Sequence, residues 1–421
     1  MRAAVQFFLL LCVVIGSPLS TSNAETLVVQ ADKSLSPGLI RIAREFERKH
    51  TEIKVKVTER PGGITREARF KAQLLSDTPP DVMAYLTGSI LHAAKPANHL
   101  FDLSDRAFSQ HVNPSFALSA SQNGKLLAAP YGSMLVGGIF YNKKIYRSLG
   151  LEEPETWNEF LENCAKVAAA GVSPISFSLE TTWTTQVLFL ADFHNVLADD
   201  PNFPTRLTNG QIKYGSDNKA RISFEKLSQL QNLGYVDRKA GSRILRESVT
   251  DLASGRAAHT IGLSVVVGLL NDLDPAAPDQ IGFFPIPGKT QNSGATLWMP
   301  LGLYVPIAGQ NRKAALKFID FVMDEANCEL LKQTDIAFGP FAIDTCTWDE
   351  NQPLYEMEIE RHFDDKGATP ALEFLTPLKG PSLEVLTKQL LLGEITAQEA
   401  ADRYDRDLLK RALELKLPGW P

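Results

Sequence analysis

The sequence predicts an α/β protein of two lobes, and three observations lead there. Short runs with strand character alternate with helical patterns, which is how a sheet covered by helices is written. The chain, 421 residues long, can bury two substantial cores. The third observation is the stretch Pro130–Gly150, PYGSMLVGGIFYNKKIYRSLG. It runs extended through Val136 and Phe140, then turns at Tyr141-Asn142 into a short helical segment that Gly150 ends. Gly132, Gly137 and Gly138 relieve that run and permit a bend or a close approach of backbone, as a strand passing between two units requires.

Taken in order, residues 1–24 read as an export signal: Arg2, an apolar run from Ala3 to Ile15, and a small-x-small site at Ser22-Asn23-Ala24. The apolar run is too short for a permanent membrane span. Cleavage near Ala24 would leave 397 of the 421 residues and, because Arg2 is the only charge lost, move the net charge from −6 to −7. A mildly acidic chain without Lys/Arg blocks gives no support for nucleic-acid binding.

The first lobe opens with a strand at Leu27–Gln30 and Asp32 in the following loop. Ser36 caps a helix with Pro37 at its first position and an apolar stripe at Leu39, Ile42, Ala43 and Phe46. Ile53, Val55 and Val57 alternate as a strand, a helix follows from about Thr65 to Leu75, and Asp81–Ala84 is a buried strand. Asp32, Arg60 and Tyr85 lie just past the strand ends, where an open α/β sheet places its ligand crevice. After the Pro130–Gly150 stretch, Thr156 and Glu159 form a capping box. The helix they open carries Phe160, Leu161, Cys164, Val167 and Ala168 and ends at Gly171. Ile175–Phe177 reads as a strand, Thr181-Thr182-Trp183 leads into a helix through Leu190, and Phe224, Leu227 and Leu230 mark another helix ending at Gly234. Leu252–Ala258 leads into a strand that ends at Ile261–Ser264. The chain then returns through Trp298–Pro306 and a helix from Asn311 with Ala315, Phe318, Ile319 and Val322 inward. A last crossing is expected near Gly339-Pro340-Phe341, ahead of C-terminal helices on the second lobe. Cys164 sits on an apolar helix face as a buried thiol; Cys328 and Cys346 either pair or remain two thiols in separate elements.

Several of these segments carry a resemblance. Pro130-Tyr131, the apolar run into Tyr141-Asn142-Lys143, then Thr156-Trp157-Asn158-Glu159-Phe160 and the Ala-Gly-Val-Ser-Pro-Ile segment at 170–175 are similar to the sugar-binding proteins of ABC importers, the maltose-binding-protein-like solute-binding family. Pro80-Asp81-Val82, Gly255-Arg256-Ala257-Ala258 and Pro285-Ile286-Pro287 resemble further segments of that family, with Leu263 where the family often has Trp. The resemblance implies a two-lobed periplasmic-binding-protein fold with three hinge crossings and a cleft between discontinuous lobes. The expected N-terminal lobe is 25–138 plus 300–340, and the C-terminal lobe is 139–299 plus 341–421. It further implies a periplasmic monomer without cofactor or metal that binds a mono- or oligosaccharide and hands it to ABC transporter permease subunits.

A sugar presents polar edges and apolar C–H faces, so its site needs flat rings with carboxylates, amides or guanidinium groups around them. Tyr85 on the first lobe and Trp183 on the second are the expected walls, with Trp298 and Tyr131 at the crossings. Asp32, Arg60, Arg66, Glu180 and Ser264 are the candidates for meeting hydroxyls. Trp157 and Trp348 are expected to be structural. The seven histidines are scattered without an i, i+4 pair, and there is no Cys-x-x-Cys, no Gly-x-Ser-x-Gly and no phosphate loop. A binding protein for a polyol phosphate or a polyamine is the alternative within the binding class, and a secreted carbohydrate-active enzyme is the alternative outside it.

Overall fold

A computed structural model describes residues 24–60, 66–94, 98–237, 239–290, 294–334, 337–348, 357–362 and 367–421. The expected export signal, through Asn23, lies outside the described residues. Two sheets carry the fold. The first has the order β2-β1-β3-β12-β6, with β1 at Glu25–Ala31, β2 at Ile53–Glu59, β3 at Val82–Tyr85, β6 at Ala128–Tyr131 and β12 at Leu301–Tyr304. β1 runs parallel to both β2 and β3, while β12 is antiparallel to β3 and β6. The carboxyl ends of β1, β2, β3 and β6 therefore meet at one edge of the sheet. Helix Ser36–Lys49 covers this sheet, its Phe46 packing edge-on against Phe318 and Phe321 of helix Arg312–Met323 at 5.2 and 5.3 Å.

The second sheet has the order β13-β11-β7-β9-β8, and β10 pairs with β7 as well. Its strands are β7 at Leu135–Asn142, β8 at Ser173–Ile175, β9 at Ala257–Leu263, β10 at Ile281–Phe284, β11 at Ala295–Trp298 and β13 at Ala368–Pro370. (The short hairpin β4, Ser121–Gln122, with β5, Lys125–Leu126, stands apart.) β7 is shared along its length, its first half bonded to β11 and its second to β10. The glycines at its centre have the expected purpose. A Cβ on Gly137 would overlap the Trp298 ring, and one on Gly138 would fall 2.6 Å from the Phe283 ring. Helix Trp157–Ala169 begins with the expected capping box between Thr156 and Glu159.

Two buried polar clusters stand out in this lobe. Lys226 Nζ donates to Asp192 Oδ1 at 2.5 Å and to the Pro287 carbonyl at 2.8 Å, and the Ser223 hydroxyl satisfies the other carboxylate oxygen at 2.8 Å. His259, fully buried, is bridged between the Tyr146 hydroxyl and the Pro174 carbonyl at 2.7 Å each.

The chain passes between the sheets from Tyr131 to Leu135 and from Trp298 to Leu301. The third passage is later than the sequence suggested. Residues 341–346 stay with the first lobe: Ile343 bridges Val112, and Cys346 is disulfide-bonded to Cys328 at the start of helix Cys328–Lys332. The chain is on the second lobe by Ile359, which belongs to the core beneath β7 and β10. Cys164 is a buried free thiol. Other differences are local: β8 lies two residues earlier than read, and the helix expected through Leu190 is a 3-10 turn, Thr182–Gln186, leading into Val187–Ala191.

Burial drives the His259 pKa down to about 4. Between its ordinary pKa near 6.5 and that value the unfolded chain binds a proton that the folded chain does not, so stability falls as pH drops through this window. The full effect is about 3 kcal/mol. Urea denaturation at pH 7 and pH 4.5 is expected to show a smaller loss on acidification for His259→Gln than for the wild type, from a lower starting stability.

Candidate functional site

On the first lobe the site is built at the strand ends. Asp32 follows β1, Arg60 follows β2 and Tyr85 closes β3, so the sheet alone brings these three together. Arg60 Nε donates to Asp32 Oδ1 at 2.9 Å and Nη2 to the Ala84 carbonyl. The Arg60 side chain is 1 % exposed, and among the described residues its Nη1 has no hydrogen-bond acceptor. A buried donor left unmade is costly unless a water or a ligand oxygen supplies the acceptor.

Tyr85 departs from expectation. Its ring is 1 % exposed and lies parallel to Phe70 of helix Arg66–Leu74 at 3.9 Å. The Arg60 guanidinium carbon is 5.4 Å from the Tyr85 centroid and 6.0 Å from that of Phe70. With the rings themselves only 3.9 Å apart, those two distances place the cation beside the stack and not over a face. Tyr85 is thus a closed part of the first-lobe core. Phe70, fifteen residues upstream, has taken the face that a sugar would need. Arg66 opens the same helix, but its side chain lies outside the described residues.

On the second lobe Trp183 remains half-buried in the 3-10 turn Thr182–Gln186. Its loop is held firmly. The Thr184 hydroxyl lies within hydrogen-bond distance of the carbonyls of Ser178 (2.5 Å) and Thr181 (2.8 Å), its one proton shared between them, while Thr182 and Gln186 bond the Glu384 carboxylate at 2.9 and 3.1 Å. Helix Leu383–Leu391 of the C-terminal segment therefore positions this ring. Glu180 is exposed, 3.9 Å from Lys388, and takes no part in the strand-end cluster. Ser264 is fully buried and is spent on the backbone of β7, accepting from Val136 N–H at 3.2 Å while its own N–H donates to Val136 O at 2.9 Å.

The crossings hold the remaining expected residues, both buried. Tyr131 ends β6 with its hydroxyl against Gly38, where a Cβ would come within 2.8 Å. Trp298 ends β11, 9 % exposed, its indole N–H donating to Glu373 Oε1 at 2.9 Å; Lys379 completes that carboxylate at 2.6 Å. Two half-buried rings lie at the hinge: Phe338, which the sequence reading does not name, and Trp348, which it expects to be structural. Phe338, N–H bonded to the Ser133 hydroxyl at 2.9 Å, packs over Gly268 of helix Val265–Leu273. Trp348 donates to the Gly339 carbonyl at 3.1 Å and leans on Phe341 at 5.5 Å. The irregular chain around Phe338 offers no period to read, and the two cysteines bracketing it are the one available signal. Among the described residues no group of three or more His, Cys, Asp or Glu is arranged to hold a metal ion, and no helix is long and apolar enough to cross a membrane.

The family model for bacterial extracellular solute-binding proteins matches residues 32–327. The multiple sugar-binding protein of Streptococcus mutans is 24% identical over 334 residues, 77% of this chain and 76% of the relative. The sn-glycerol-3-phosphate-binding periplasmic protein UgpB of Salmonella typhimurium is 25% identical over 293 residues, 65% of this chain and 60% of the relative. Among solved structures, a chitin oligosaccharide binding protein superimposes with a TM-score of 0.78 at 18% identity, covering 94% of this chain and 100% of its own.

The Asp32–Arg60 pair gives a test of how the first-lobe wall is held. Asp32→Ala strands a cation inside the protein, and removing one member of a buried pair typically costs about 3 to 5 kcal/mol. Asp32 is partly solvated, so about 2 to 3 kcal/mol is expected in chemical denaturation, with Asp32→Asn losing less because it keeps an acceptor for Arg60.

Proposed function

Because the chain belongs to the bacterial extracellular solute-binding protein family, we propose that it captures a carbohydrate between its two lobes and delivers it to the permease of an ABC importer. The observation that carries the sugar reading is the character of the strand ends. A half-exposed indole, Trp183, stands on the second lobe, and a carboxylate–guanidinium pair with a spare buried N–H stands on the first. Stacking on the ring buries the C–H face of a pyranose, and the polar pair answers its hydroxyls. The similarity to a multiple sugar-binding protein and to a chitin oligosaccharide binding protein supports the same ligand class.

Function then follows from differential affinity. A ligand that touches both lobes binds the closed arrangement better than the open one, and it shifts the population only by that difference. The permease recognises the closed form, and no residue is assigned a catalytic role. The chain is exported as a monomer, its signal removed near Ala24, and works in the periplasm. The similarity to the glycerol-phosphate-binding protein and the spare Arg60 N–H favour one second reading, a small phosphorylated polyol.

A melting series separates the two. Raffinose, melibiose, chitobiose and sn-glycerol-3-phosphate are titrated separately, since a ligand that binds only the folded state raises the melting temperature with concentration. A sugar is expected to stabilise the chain; stabilisation by glycerol phosphate alone selects the second reading. With the active sugar identified, Trp183→Ala is expected to weaken binding about thirty-fold, the equivalent of about 2 kcal/mol for a lost aromatic hot spot. Its ligand-free melting temperature should change little, whereas a large drop would make the ring a core residue.

A further inference from the structure

We propose that Glu67 and Arg411 form a latch between the lobes that sets how far the chain closes before any ligand arrives. Arg411 Nη1 and Nη2 reach Glu67 Oε1 and Oε2 at 3.3 and 3.1 Å, a two-pronged contact. Nη1 also lies 3.2 Å from Glu414 on its own helix. The Arg411 side chain is 11 % exposed and that of Glu67 34 %, so the pair is sheltered more than a surface ion pair. Among the described residues it is the ion pair that joins the two lobes; the others each lie within one lobe or along the chain returning to it.

Each partner is rigidly part of its own lobe. Arg411 belongs to helix Ala397–Leu415, whose Tyr404 packs against Phe189, Tyr214 and Phe224 at 5.8, 5.2 and 6.0 Å. Asp405 of the same helix accepts the N–H groups of Tyr214 and Gly215 at 2.8 Å. Glu67 lies in the first turn of helix Arg66–Leu74, which the Phe70–Tyr85 stack and the Gln73–Gln30 hydrogen bond fix to the first sheet. An acidic side chain there also complements the helix dipole. Opening the lobes cannot be absorbed by either helix, so it must break both prongs together. The same helix covers Tyr85, beside which Arg60 sits, so the latch and a ligand on Arg60 act on one rigid element.

The use of the latch rests on the hinge-closure reading above, but its test needs no ligand. Small-angle X-ray scattering is recorded on the full mature chain without sugar, at low and at high sodium chloride. Glu67→Lys is expected to move the open-to-closed ratio about tenfold toward open, seen as a larger radius of gyration. High salt should move the wild type the same way, by screening. The exchanged pair Glu67→Arg with Arg411→Glu is expected to restore the compact curve. Circular dichroism melting accompanies each sample; should Glu67→Lys fail to fold, Glu67→Gln, which keeps shape without charge, must show the opening in smaller degree. Superimposable curves for the wild type and a folded Glu67 variant at both salt concentrations would overturn the latch. A failed sugar series would leave these scattering differences in place, so the two ideas fail separately.

Discussion

The strand β7 has no side chains at its two central positions, and both lobes depend on that. At Gly137 the ring of Trp298 lies against bare backbone, and at Gly138 the ring of Phe283 does the same. A methyl group at either position would push a neighbouring strand off β7, because packed interiors have no slack to absorb the displacement. Since β11 leads directly into β12 of the first sheet, the seat of Trp298 also fixes where the chain re-enters the other lobe. The second crossing is therefore positioned by the strand that follows the first one.

The local grammar of the chain was legible. The capping box at Thr156, the αL glycine at Gly150, the alternation of strands and helices and the need for a close approach at Gly137-Gly138 all depend on residues near one another in sequence. The candidate site was legible only as far as the strand ends. Asp32, Arg60 and Tyr85 do converge, because parallel strands bring their carboxyl ends to one edge. What the sequence could not show is which surfaces other elements would claim. Tyr85 loses its open face to Phe70, the Trp298 N–H is taken by Glu373, seventy-five residues on, and Ser264 turns to the β7 backbone. The third crossing moved because Cys346 is tied to Cys328, a constraint that the cysteine spacing allowed but did not compel.

Two buried cations are held in different ways. Lys226, desolvated between helices of the second lobe, has an anion and a carbonyl at hydrogen-bond distance, and the anion has a further hydroxyl. Two of the ammonium donors are bonded and the charge lies 4.9 Å from the Trp157 ring centroid, a network that makes a rigid structural unit. Arg60 is built differently: equally buried, it keeps Nη1 without an acceptor among the described residues, at the edge where the parallel strands end. Burial is common to both cations, and the unfilled bond at the strand ends is what sets Arg60 apart.

The two lobes prepare their surfaces by different means. The first lobe holds its polar pair with the sheet itself, since Asp32 and Arg60 are anchored by the ends of adjacent strands. The second lobe presents Trp183 on a 3-10 turn, which has little stiffness of its own. That turn is held from outside: Thr185 donates to the Glu384 carbonyl at 2.7 Å and meets the Thr387 hydroxyl at 2.9 Å, alongside the Glu384 carboxylate contacts of Thr182 and Gln186. The helices Leu383–Leu391 and Ala397–Leu415 pack on each other, so the segment that steadies the aromatic ring is continuous with the one that carries Arg411 to the other lobe. The last forty residues add no strand to either sheet, yet they carry the support of the ring and the one ion pair that joins the lobes among the described residues.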